Sequence, residues 1–161
     1  MAIHMYKWFG ISALVIVLDQ ITKYAASHML LMHEPVAILP FFNFTLMHNP
    51  GAAFSFLADQ AGWQRWLFAG LALSVSIVLA IWLYRLKTHE KWLALALSLV
   101  LGGAIGNLID RVYYGYVIDF IDVYYNTSHW PAFNIADAAI SIGAVMLIID
   151  TFRSKEKSGG Q

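Results

Sequence analysis

Apolar residues in this chain gather into four long runs. Residues 66–84 (WLFAGLALSVSIVLAIWLY) hold no charge and carry aromatics at both ends. Residues 92–109 (WLALALSLVLGGAIGNLI) hold none either, and Asp110 and Arg111 follow at once. About 20 mostly apolar residues suffice for a helix to cross a bilayer, so both runs predict membrane helices. Residues 8–26 (WFGISALVIVLDQITKYAA) predict a third, interrupted by Asp19 and Lys23, and 132–152 a fourth, interrupted by Asp137. Lys7, the apolar stretch and "YAAS" also match a cleaved secretory signal. A charged pair just before the cleavage point fits that poorly, so a retained helix is expected.

The segments between the runs have a different pattern. "VAILPFFNFTLMHN" (36–49) is rich in strand formers, "GAAFSFLADQ" (51–60) reads as a short interfacial helix, and "VIDFIDVYY" (117–125) offers a further strand. The expected fold is an all-α membrane protein. It has four transmembrane helices, a small extracytoplasmic β-cradle and a short interfacial helix, in a single integral membrane domain over 1–161.

Composition agrees. Of 161 residues, 60% are hydrophobic and 12% charged, against roughly 25% charged in an average soluble domain. Lipid is the expected solvent. A formal net charge of zero argues against a nucleic-acid partner held by bulk charge. No cysteine is present, so neither a disulfide nor a thiol nucleophile is available.

Basic residues set the orientation. Lys7; Arg85, Lys87 and Lys91; and Arg153, Lys155 and Lys157 form three clusters. Four helices put all three on one side, the expected cytoplasm, with both termini. Residues 27–65 and 110–131 then lie outside. Asp19 and Lys23, Asn107, Asp110 and Arg111, and Asn134 and Asp137 all fall near the outer ends of their helices. Asn49, Asp119 and Asp122 sit in the outer segments. The polar residues therefore converge at one membrane depth.

Each group also has a plainer explanation. Asp19 and Lys23, four apart with the acid first, suit a structural ion pair. Gly103, Asn107, Asp110 and Arg111 share a helix face and suit a packing seam. Asn134 and Asp137, after Pro131, suit an N-cap with an acid in the first turn. That last account leaves open why a bilayer helix carries an acid one turn in, since such acids default to function.

His28, His33, His48 and His129 lie on the outer side without metal-ligand spacing, and there is no HExxH, no GxSxG elbow and no phosphate loop. Neither a metal nor a cofactor is expected. Several carboxylates remain, and two that share a proton can activate water without either. Asp119 and Asp122, three apart on a strand, face opposite sides. Only one of them can meet Asp137, and spacing does not choose between them.

The segments "DQITK" (19–23), "NPGAAF" (49–54), "GGAIGNLIDR" (102–111), "VIDF" (117–120) and "FNIAD" (133–137) resemble, in order, the five motif regions of the lipoprotein signal peptidases, or signal peptidase II. The resemblance spans nearly the whole chain. It implies an aspartic endopeptidase of the bacterial inner membrane, active at the periplasmic face. Such an enzyme cuts diacylglyceryl-modified prolipoproteins on the amino side of the lipidated cysteine. It further implies a dyad of Asp119 and Asp137, with Asn49, Gly51, Asn107, Arg111 and Asn134 shaping the site, and Asp19 and Lys23 bracing it. Asp110 is expected to pair with a basic neighbour. The implied partners are lipidated prolipoproteins and membrane lipid, with no nucleic acid, and the protein is expected to be a monomer. A transporter subunit would instead distribute charge through the membrane depth, and an inactive assembly subunit would not need two acids at one depth.

Overall fold

A computed structural model of the chain describes residues 2–51 and 63–158. The expected short helix at 51–60 lies, past Gly51, outside the described residues. Among the described residues four helices form: α1 (Ala2–Met29), α2 (Trp63–Arg85), α3 (Lys91–Tyr113) and α4 (Ile135–Ser158). All four are long and apolar enough to cross a membrane. Four strands complete the fold: β1 (Val36–Leu39), β2 (Phe42–Asn49), β3 (Val117–Tyr125) and β4 (Ser128–His129).

Proline placement explains several boundaries. Pro35, Pro40, Pro50 and Pro131 all fall between elements, where a fixed φ and a missing N–H break no ladder. The last helix accordingly starts at Ile135 rather than 132, after Pro131 and a capping Asn134. The third runs past 109 to Tyr113, so Asp110 and Arg111 belong to its final turn.

The strands make one antiparallel sheet in the order β1-β2-β3-β4. Asn126 turns β3 into β4 with a left-handed φ of 54°, a conformation asparagine tolerates. The register of β2 on β3 shifts between Phe44 and Met47. The sheet covers the end of the bundle where α1 and α3 finish and α2 and α4 begin.

Helix α3 packs on all three other helices, while α2 and α4 flank it without packing substantially on each other. Its buried face is built largely of small residues, among them Gly102, Gly103, Ala104 and Gly106. Gly103 meets the Ala136 carbonyl of α4 and Gly106 meets the Asp19 carboxylate of α1 so closely that a Cβ would collide with either. These glycines let three helices converge where the polar residues lie. Leu83, Leu97 and Leu101 fill a core further down the bundle. Ala26, Leu46, Ile118 and Phe120 join α1 to the sheet. Leu71, Val78, Ile142 and Ile148 are each more than half exposed. An outer surface this apolar belongs in lipid, and the protein is a multi-pass membrane protein.

Candidate active site

Lys23 on α1 is 1% exposed, the most deeply buried cation among the described residues. Its ammonium donates to Asp19 Oδ2 at 2.8 Å, to Asp110 Oδ2 at 2.9 Å and to Asn107 Oδ1 at 2.9 Å. The three donors of a lysine are thus matched by three acceptors. The two acids are satisfied in turn. Asp19 Oδ1 accepts the Ala136 N–H at 2.9 Å, capping α4 from another helix. Asp110 Oδ2 accepts the Ile118 N–H at 3.1 Å, tying β3 to α3. Gln20 Nε2 donates to Asp110 Oδ1 at 2.9 Å and reaches Asp19 Oδ2 and the Gly106 carbonyl at 3.2 Å each. Gln20 and Gly106 were not expected in this network from sequence. Both lie inside motif segments, 19–23 and 102–111, but a neutral amide and a glycine carry no charge signal. What reads as an i,i+4 pair is therefore a buried triad with Asp110 as third member.

Two asparagines carry this network to two acids. Asn107 Nδ2 donates to Asp137 Oδ1 at 2.7 Å. Asn134 Nδ2 donates to Asp119 Oδ1 at 2.7 Å and lies 3.2 Å from the Ile118 carbonyl and 3.3 Å from Asn107 Oδ1. Asn134 Oδ1 accepts the Asp137 N–H at 2.9 Å, the N-cap bond expected of an asparagine three residues before an acid. Asn49 Nδ2 donates to Asp119 Oδ2 at 3.2 Å, while its Oδ1 accepts the Gly51 N–H at 3.1 Å. Arg111 holds the same turn, donating from Nη2 to the Gly51 carbonyl at 3.1 Å and from Nη1 to the Asn107 carbonyl at 3.3 Å. All ten site residues expected from the sequence thus belong to one connected network.

Asp122 lies apart from it. It accepts from Asn43 at 3.3 Å and Thr45 at 3.0 Å, and its Oδ1 is 2.8 Å from His129 Nδ1. Burial pushes its pKa upward, but the bonds from His129, Thr45 and Asn43 outweigh burial and hold it below the ordinary value. Asp119 behaves in the opposite way. Burial is the main cause and the charge of Asp137 the second, and together they push Asp119 up to about 7. The bonds from Asn49 and Asn134 and the charge of Lys23 oppose that rise without cancelling it. Of the two acids on β3, only Asp119 is coupled to Asp137.

A cavity of about 570 Å³ opens beside these groups. Asp137, Asn107, Arg111, Asn49, Trp130 and Ser141 are among the residues that line it. Asp119 is 3% exposed and does not form part of the wall. The Arg111 Nε is buried without a partner among the described residues. The site thus places Asp119, raised by burial and by the charge of Asp137, behind a cavity that Asp137, Asn49 and Arg111 line. Among the described residues no cluster of three or more histidines and acids suits a metal ion.

Residues 11–153 match the family model for signal peptidase (SPase) II. The lipoprotein signal peptidase of Teredinibacter turnerae is 60% identical over 146 residues, covering 90% of this chain and 86% of that protein. The one from Pseudomonas putida is 56% identical over 151 residues, covering 92% and 88%. A bacterial membrane enzyme solved by the in meso method at 2.3 Å resolution superposes with a TM-score of 0.84 at 31% identity, covering 96% of this chain and 92% of that one. The chain belongs to the signal peptidase II family.

Proposed function

We propose that the protein is the aspartic type of peptidase, working through Asp119 and Asp137. Family membership makes it a membrane peptidase that removes signal peptides from prolipoproteins. The catalytic assignment rests on one observation above others: Asp119, raised to about 7 by burial and by the charge of Asp137, is half of a carboxylate pair that holds one proton at neutral pH. Asp137 Oδ1 is tied to Asn107, and Asp137 lines the cavity. Its Oδ2 receives no hydrogen bond from the described residues. Asp137 is therefore the base and Asp119 the proton holder. Water loses a proton to Asp137 as its oxygen bonds to the scissile carbonyl carbon, and the proton of Asp119 passes to the carbonyl oxygen as charge grows there. The tetrahedral carbon then collapses: the carbonyl re-forms and the C–N bond breaks together. The hydroxyl proton returns to Asp119, and the proton on Asp137 passes to the departing amine. Asn49, Gly51, Arg111 and Asn134 shape the cavity around the substrate backbone.

The substrate is a prolipoprotein carrying diacylglyceryl on the cysteine that follows the cut. The site's position at the sheet-covered end of four membrane helices supports this, because acyl chains in the bilayer would hold the bond at that height. The distribution of Lys and Arg supports a single domain with cytoplasmic termini. It also supports an active site at the outer face of the bacterial inner membrane. The protein acts as a monomer.

Cleavage of a diacylglyceryl-modified prolipoprotein by the purified protein tests the assignment. Asp119→Asn and Asp137→Asn should each abolish turnover with binding retained, and Asp122→Asn should keep it. Near wild-type turnover by Asp119→Asn, with loss in Asp122→Asn, would move the dyad to the other acid. Reversible arrest by a chelator would overturn the two-aspartate chemistry.

A further inference from the structure

A carboxamide can point either way, and what faces it decides. Asn107 has Lys23 on one side and Asp137 on the other. A lysine ammonium is donor-only, so it accepts nothing from the Asn107 NH₂ and can face only its oxygen. The NH₂ is thereby directed at Asp137 Oδ1, 2.7 Å away. Were the amide reversed, its oxygen would meet the carboxylate and its NH₂ the ammonium; protonating Asp137 would relieve the first contact, but the second would stay repulsive. Lys23 itself has no freedom to move, being 1% exposed and held by Asp19 and Asp110. Gln20 fastens both of those acids from the side. The second amide, Asn134, is fixed by the same logic, because its oxygen accepts the Asp137 N–H and its NH₂ must face Asp119.

We infer that Lys23 is a positioning residue for the peptidase reaction. It acts through Asn107, which it orients so that Asp137 keeps one oxygen bonded and the other available to the attacking water. This rests on Asp137 being one of the reacting acids. A brace that merely holds α1 against α3 would require an ion pair but would be indifferent to the direction of the Asn107 amide.

The test is a double-mutant cycle on cleavage of a diacylglyceryl-modified prolipoprotein, with pH–rate profiles for each variant. Lys23→Gln presents either a donor or an acceptor to Asn107 and so releases the amide. It should lower kcat about tenfold or more while KM stays within about twofold. The acid limb of its profile should move together with that of Asn107→Leu, in the same direction and by a similar amount. Asn107→Leu should act in the same direction. If Lys23 works through Asn107, the double variant should be no slower than Asn107→Leu alone. Multiplying effects, or an unmoved acid limb in a folded Lys23→Gln, would overturn the proposal. Should Lys23→Gln fail to fold, Lys23→Gln with Asp19→Asn replaces it, since one charge of each sign is removed and the cluster's net charge is kept. A failure of the dyad assignment is seen separately, as turnover retained by Asp119→Asn or Asp137→Asn, whatever the cycle gives.

Discussion

At the scale of single residues, the consequence of greatest reach is the proton on Asp119. Its carboxyl titrates at about 7 in the folded protein, against about 3.9 for an ordinary aspartate. Two outcomes follow. Turnover should fall as pH rises through about 7, when the proton leaves, and should fall again in acid, when Asp137 gains one; kcat measured across pH checks the bell. Below about pH 4 both folded and unfolded chains hold the proton, and the group costs nothing. Between there and about 7 the unfolded chain releases it while the folded chain keeps it, so stability declines with rising pH. Asp119→Asn removes this titration. Its melting temperature in detergent should gain on the wild type as pH increases and level off above about 7. A difference that does not change with pH would mean that Asp119 is ionised throughout.

Among elements, the convergence of α1, α3 and α4 depends on Gly103 and Gly106. A methyl group on Gly106 would sit 2.7 Å from Asp19 Oδ2, the oxygen that also pairs with Lys23. Gly106→Ala should therefore destabilise the protein by about 1–3 kcal/mol, the usual range for overpacking. It should reduce cleavage further than stability alone accounts for, because the displaced group is part of the network reaching Asp137. Gly70 on α2 has open space where a Cβ would stand, so Gly70→Ala should fold and cleave as the wild type does. Thermal melting in detergent beside cleavage assays separates the two. The same network shows why Asp19→Asn is not the loss of a lone ion pair. Lys23 keeps Asp110 as a partner, and the amide oxygen of the substituted residue can still accept the Ala136 N–H that Asp19 accepts now.

The whole molecule adds two expectations. The chain has no cysteine, so single cysteines report topology without background. A cysteine replacing Ser128 in β4 should be blocked by reagents that do not cross the membrane, and one at Lys87 should not. The opposite pattern would place the sheet and the site in the cytoplasm. The second expectation concerns the substrate's lipid. Burial of acyl chains is worth about 0.8 kcal/mol per CH₂, and on the proposed reading it would hold the scissile bond at the height of the site. A prolipoprotein with an unmodified cysteine should be cleaved very poorly, and equal turnover of both forms would exclude lipid-directed specificity.

Much of this was legible along the chain because the membrane simplifies the physics. Backbone groups in hydrocarbon must pair within their own segment, so long apolar runs become helices and little else. Charge at the ends of those runs marks depth. Strand formers at 36–49 became β1 and β2, and those at 117–125 became β3, since alternating and β-branched residues suit a half-buried sheet. The Asn134 cap is a local bond and was readable as one. What spacing alone left undecided needed partners distant in sequence. Asp119 and Asp122 are equivalent as residues three apart on a strand. Tertiary structure separates them by surroundings: Asn49, Asn134 and the charge of Asp137 for one, and Asn43, Thr45 and His129 for the other. Asp110 as the second counterion of Lys23, Gln20 as their clamp and the direction of the Asn107 amide likewise arise between helices. Sequence determined which segments cross the membrane and which polar residues share a depth, because hydropathy and helix period act locally. Which of those residues touch, and which atom each presents, was decided only when α1, α4 and β3 closed around the small face of α3.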